Sequence, residues 1–169
     1  MFKRATLVII MIFMVIVSGC AGMGTNGFVN SACRPDVDMT FEDWRSWKRV
    51  NPTVLLSEGH ADVYVDIYVD DLAKDKYLAA SSPYPECSRV VKAQYTDQNA
   101  TEVEELGIMV KMPEGYDPEH NDWWYARYDP TGTEAISSGK MVTICRTCHE
   151  QASETDYLFS EKVIAAASD

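Results

Sequence analysis

Positive charge is scarce in this 169-residue chain: 15 Lys+Arg stand against 26 Asp+Glu, for a formal net charge of −11. A surface this acidic is repelled by phosphate backbones, which sets nucleic-acid binding aside. Histidine is rarer still, with three in the whole chain, and the five cysteines contain a single C-x-x-C pair. A zinc site would need a second Cys/His pair nearby, and His60 and His120 are isolated. A thioredoxin-like centre would need a surrounding βαβ pattern, which is missing. Nor is any apolar run long enough for a lasting membrane span. The longest, Ala5 to Val17, has 13 residues, about 20 Å of helix at ~1.5 Å per residue against a ~30 Å hydrocarbon core.

That run follows Lys3-Arg4 and ends in Val17-Ser18-Gly19-Cys20. It reads as a secretory signal, and its end resembles the bacterial lipobox, in which the cysteine is lipidated and becomes the mature first residue. Residues 1–19 are the signal and Cys20 the lipidation site. Residues 20–37, with three glycines and no periodicity, form a tether. Residues 38–169 form the domain. Ala21 lacks the aspartate associated with inner-membrane retention. The expected address is therefore the periplasmic side of the outer membrane, with the lipid as the only membrane contact.

The one C-x-x-C pair is Cys145-Arg-Thr-Cys148-His149, the c-type haem attachment pattern. On a helix these side chains fall at i, i+3 and i+4 and share a face. Two thiols can add across the haem vinyl groups while His149 offers the proximal nitrogen to iron. One motif means one covalent haem c. With Cys20 lipidated, Cys33 and Cys87 remain. In an oxidising compartment they form one disulfide or stay as two buried thiols.

Around the motif the chain reads as α+β. Thr40-Phe-Glu-Asp43 is a capping box opening a helix to about Val50. Val63, Val65, Ile67 and Val69 alternate with Tyr64, Asp66 and Tyr68 as in a half-buried strand. Asp70-Asp71 caps a short helix over 72–80. Further strands are expected over 88–95, over 103–112 with Gly107 as a bulge, and over 123–128. The haem helix spans 141–150 and a terminal helix 156–166. Strands followed by helices point to an antiparallel sheet with flanking helices, the haem lying near the C-terminal ones.

Several segments together resemble the cytochrome P460 family: Val110-Lys-Met-Pro-Glu-Gly-Tyr-Asp-Pro118, Asp122-Trp-Trp-Tyr-Ala-Arg-Tyr-Asp-Pro-Thr-Gly132, Cys145 to His149, Thr155-Asp-Tyr-Leu-Phe159 and Arg89-Val-Val-Lys92. The resemblance covers roughly residues 40–160. It implies a small periplasmic β-sheet cytochrome c, usually a homodimer, with a five-coordinate haem. Enzymatic members oxidise hydroxylamine at the open iron position, pass electrons to a periplasmic redox partner, and carry a lysine linked to the porphyrin. Related cytochromes c′-beta lack that link and bind nitric oxide. Lys92 matches the linking position, with Lys111 as the second candidate. Glu114 is the candidate distal base, while Glu102, Glu104 and Glu105 read as surface charges. The family's distal arginine would fall near Val63 to Val65, where this chain has none.

Four further groups complete the expected surroundings. His60 reads first as a turn residue and second as a sixth iron ligand. His120 reads as exposed, and Met109 and Met112 as core filler. Arg89 and Arg127 are candidates for the haem propionates. Trp123, Trp124, Tyr128 and Phe159 are expected in the sheet core and pocket wall.

Overall fold

The structure is a computed structural model, and it describes residues 33–34, 39–60, 62–139 and 142–166. The signal, Cys20 and nearly all of the tether lie outside the described residues.

Seven strands form one antiparallel sheet: β1 (Lys48–Arg49), β2 (Leu55–Ser57), β3 (Val63–Val69), β4 (Arg89–Tyr95), β5 (Val103–Lys111), β6 (Trp123–Tyr128) and β7 (Ala135–Ser138). Their order is β1-β3-β4-β5-β6-β7, and β2 also pairs with β3. Three short helices accompany them: α1 (Lys74–Leu78), α2 (Thr143–His149) and α3 (Ser160–Ala166). The architecture is α+β, as the strand-then-helix order implied. No helix among the described residues is long and apolar enough to cross a membrane.

The register Ile67↔Lys92↔Gly107↔Arg127 runs straight across four strands. Because side chains alternate along a strand, this fixes two faces. The front carries Val65, Ile67, Val69, Val90, Met109, Trp123 and Tyr125 and packs beneath the helices. The back carries Val91, Ala93, Leu106, Ile108, Val110, Trp124 and Tyr128.

The back face is also covered, which corrects the half-buried reading of β3. Phe41 and Trp44, each 1% exposed, pack over it. Phe41 stacks against Trp124 and meets Tyr128 edge-on, while Trp44 meets Tyr68. Burying aromatic side chains of this size stabilises by about 1.5–3 kcal/mol each. Asp66 is consequently buried, and its carboxylate is held by Arg49, Asn51 and Tyr95. Cys33 and Cys87 form a disulfide with Cα atoms 5.3 Å apart, tying the N-terminal segment to the sheet.

The helix expected over 40–50 is absent. A single 3-10 turn, Trp44–Ser46, leads into β1, whose residues pair with Tyr68 and Val69. Docking of Phe41 and Trp44 on the sheet outweighs the capping-box signal. Phe41 N also donates to Gly132 O at 2.7 Å. Gly107 is regularly paired. The bulge lies instead where Gln94 and Tyr95 oppose Glu105 and Val103. Asp70 does cap the region before α1, accepting from Ala73 N at 2.9 Å, and it also binds Arg89 Nε at 2.9 Å.

Candidate functional site

Between the front of the sheet and the C-terminal helices lies a cavity of about 430 Å³, a volume typical of small-molecule sites. Val65, Ile67, Val90, Met109 and Tyr125 make its floor, and Leu158, Phe159 and Val163 its roof. Cys145, Cys148 and His149 of α2 all line it. Helical spacing accounts for their shared direction, since positions three and four apart sit one above the other.

His149 is 8% exposed, with its ring beside those of Tyr125 (5.6 Å) and Phe159 (5.3 Å). Its Nδ1 lies 2.6 Å from the carbonyl oxygen of Tyr157. A carbonyl only accepts, so Nδ1 carries the proton and Nε2 keeps its lone pair. Burial pushes the His149 pKa down to about 4, opposed by this hydrogen bond and assisted by the Lys92 charge. The ring is neutral at physiological pH, the state a metal ligand needs. Burial also raises the Cys145 thiol above its usual value, keeping it protonated and quiet.

Lys92 sits half-buried in the middle of β4 and lines the cavity. Its Nζ lies 3.1 Å from His60 Nδ1, and Ser57 Oγ is 3.1 Å from the same nitrogen. Burial pushes the Lys92 pKa down to about 8, against the pull of Cys148 and Cys145. Burial, the Lys92 charge and His149 lower His60 to about 4. The turn carrying His60 runs beside α2, for a Cβ on Gly59 would lie 4.0 Å from Cys148 Sγ.

Lys111 is placed quite differently. It is 8% exposed, binds Asp156 Oδ1 at 2.9 Å and Asn121 O at 2.7 Å, and lies over the Trp123 ring. Those two hydrogen bonds hold it away from the cavity lining, so of the two lysines only Lys92 is at the site. Glu114 is exposed and is not among the cavity-lining residues, which removes it as a distal base. The carboxylate at the cavity is Glu58, in the turn before β3. His120 is half-buried rather than exposed, held between Asp117 and Glu150 at 3.1 Å each. Arg89 is paired with Asp70 and Arg127 with Glu105, and neither is among the cavity-lining residues, although Arg127 shares the front face and its charge reaches Cys145. Of the aromatics weighed, Phe159 is cavity wall, Trp123 is front core, and Trp124 and Tyr128 are back core.

Residues 41–160 match the cytochrome P460 family. The chain belongs to that family. A comparison with curated proteins returns no match. Membership in the cytochrome P460 family implies a haem cofactor and a cytochrome's iron chemistry. The residues present fit such a group: two thiols and one imidazole with a free Nε2 lone pair line one cavity whose floor and roof are apolar. Tyr125 and Ser57 line the cavity without having been singled out from the sequence, and His60, expected first as a turn residue, lines it as well. The period-2 alternation of Trp123-Trp124-Tyr125 held the signal for the first, because it sets Tyr125 and Trp124 on opposite faces.

Proposed function

We propose that this chain is an exported, lipid-anchored monohaem c-type cytochrome, with Cys145 and Cys148 holding one haem by thioether bonds and His149 as proximal iron ligand. The observation that carries this reading is the convergence of those three side chains on one largely apolar cavity, with His149 Nδ1 committed to Tyr157. Haem held by these residues would supply the iron redox chemistry through which hydroxylamine or a small nitrogen oxide would exchange electrons with a periplasmic redox partner. Tyr125, Phe159 and Leu158 exclude water from the proximal imidazole. His60 is neutral at physiological pH, so its ring can share a hydrogen bond with a small ligand. Lys92, lowered to about 8, is partly neutral near pH 8, the state an amine would need before it could be linked to a haem held by Cys145, Cys148 and His149.

A second reading is a cytochrome c′-beta-like binder of nitric oxide or carrier of single electrons. It is supported by the absence of arginine among the cavity-lining residues. The reduced spectrum of the purified protein separates the two. A red-shifted ferrous Soret band, with a haem-bearing peptide that joins the Lys92 and Cys145/Cys148 fragments and with hydroxylamine turnover, supports the enzyme. An ordinary ferrous band with nitric oxide binding and no turnover supports the binder. A six-coordinate low-spin spectrum lost in His60→Ala makes the chain an electron carrier. Release from the membrane fraction in Cys20→Ser tests the anchor, and a sedimentation mass of two chains tests the proposed homodimer.

A further inference from the structure

We infer that Asp156 is a positioning residue for His149: its buried carboxylate fixes the turn whose carbonyl holds the imidazole. The inference rests on the reading of His149 as iron ligand. The carbonyl that accepts from His149 Nδ1 belongs to Tyr157, and both Asp156 (φ 54°) and Tyr157 (φ 65°) adopt the left-handed region. Two consecutive non-glycine residues there are unfavourable and persist only where surroundings impose them.

The imposing contacts converge on Asp156, which is 3% exposed. Its Oδ1 accepts from Lys111 Nζ at 2.9 Å, from Trp123 Nε1 at 2.8 Å and from Asn121 Nδ2. Its Oδ2 accepts from Tyr84 N at 2.8 Å. One carboxylate thus ties the start of β6, the end of β5 and the 84 loop to the turn after α2. The turn's own bonds, Tyr157 N to Ala152 O at 2.7 Å and Asp156 N to Ser153 O at 3.2 Å, close it but do not anchor it to the sheet. With the carboxylate undocked, the left-handed pair relaxes and the Tyr157 carbonyl turns from Nδ1. A hydrogen bond to the far nitrogen raises the basicity of the ligating one. Its loss weakens the iron–nitrogen bond and destabilises ferric relative to ferrous iron.

The test uses holoprotein matured in a haem-loading host. Two quantities are read: the iron–histidine stretching frequency of the ferrous form by resonance Raman, and the reduction potential. Asp156→Asn keeps the shape, tolerates a left-handed φ and removes the charge. It is expected to lower the stretching frequency and to raise the potential, by about 59 mV if the ferric preference drops tenfold. Asn121→Gly removes one donor at a residue with φ 52°, where glycine is at ease, and is expected to shift both readouts the same way by less. Asp70→Asn is the control. That carboxylate is 5% exposed and accepts from Ala73 N and Arg89, so its loss destabilises the fold without reaching Tyr157.

Unmoved readouts in Asp156→Asn, or equal shifts in Asp70→Asn, overturn the inference. Should Asp156→Asn not accumulate, Asn121→Gly decides by the same criteria. A wild type with no iron–histidine stretch overturns instead the reading of His149 on which the inference stands.

Discussion

Lys92 and Lys111 sit on neighbouring strands, yet replacing each by methionine should have opposite consequences. Lys111 is 10% exposed at its side chain and Asp156 2%, with the charges 2.9 Å apart. Removing one member of a buried ion pair leaves the other uncompensated, a loss of about 3–5 kcal/mol. Trp123, Asn121 and Tyr84 remain as donors to Asp156, so the cost in Lys111→Met should fall at the lower end, about 3 kcal/mol. That is a large part of the ~5–15 kcal/mol that holds a domain together. Lys92 instead has His60 as its partner in a largely apolar cavity. Methionine there fits the walls and ends the desolvation of an amine, so stability should change by less than about 1 kcal/mol. Urea unfolding followed by tryptophan fluorescence measures both, with the slope checked for constancy. The variants should diverge again in the haem-peptide map: any porphyrin–lysine link disappears in Lys92→Met and survives in Lys111→Met. A Lys111→Met midpoint within 1 kcal/mol of wild type would refute the placement of Lys111 in a buried network.

Gly132 has φ +80° and a Cβ there would lie 2.7 Å from Phe41 O, whereas Gly115 has φ +93° and open space. Gly132→Ala should therefore cost at least roughly 1 kcal/mol more than Gly115→Ala in unfolding free energy, since only the first adds a backbone clash to the strained φ. Cys33 and Cys87 are 54 residues apart in sequence, and a crosslink closing a loop of that size stabilises by about 4 kcal/mol in the chain-entropy picture. A Cys33→Ala/Cys87→Ala double variant should lose stability toward that amount, and reduction with dithiothreitol should leave it unaffected. The Asp129 carboxyl is held well below the usual range, first by the Glu134 backbone N–H and then by Thr131. Its contribution is present above the unfolded carboxylate value and is lost as pH falls toward the folded one. The acid limb of the stability curve should be shallower in Asp129→Asn.

What could be read from residue order was whatever repeats locally. The alternation in 63–69, 89–95 and 123–128, punctuated by Pro, Gly and Asp, marked three of the central strands within a residue or two. β1, β2 and β7 have two to four residues each and exist only by pairing with β3 or β6, a cue absent from their own composition. Phe41, Trp44 and Trp47 lie three apart and mimic a helical stripe, but the first two dock on a sheet that the sequence does not announce. The same division runs through the site. Cys145, Cys148 and His149 are contiguous and were legible. The support of His149 comes from Tyr157 and Asp156, whose left-handed backbone without glycine has no signal in local composition. Glu114, the distal-base candidate that the family resemblance implied, lies where the chain has left the sheet and is exposed.

The most direct test is the intact mass of the mature chain, measured after denaturation and organic extraction alongside Cys145→Ala/Cys148→Ala. Covalent attachment through these cysteines predicts a mass greater than the polypeptide by one haem in the wild type, and a bare polypeptide in the double variant. A colourless wild-type chain at the polypeptide mass, from a host that loads haem onto a control cytochrome c, would contradict it.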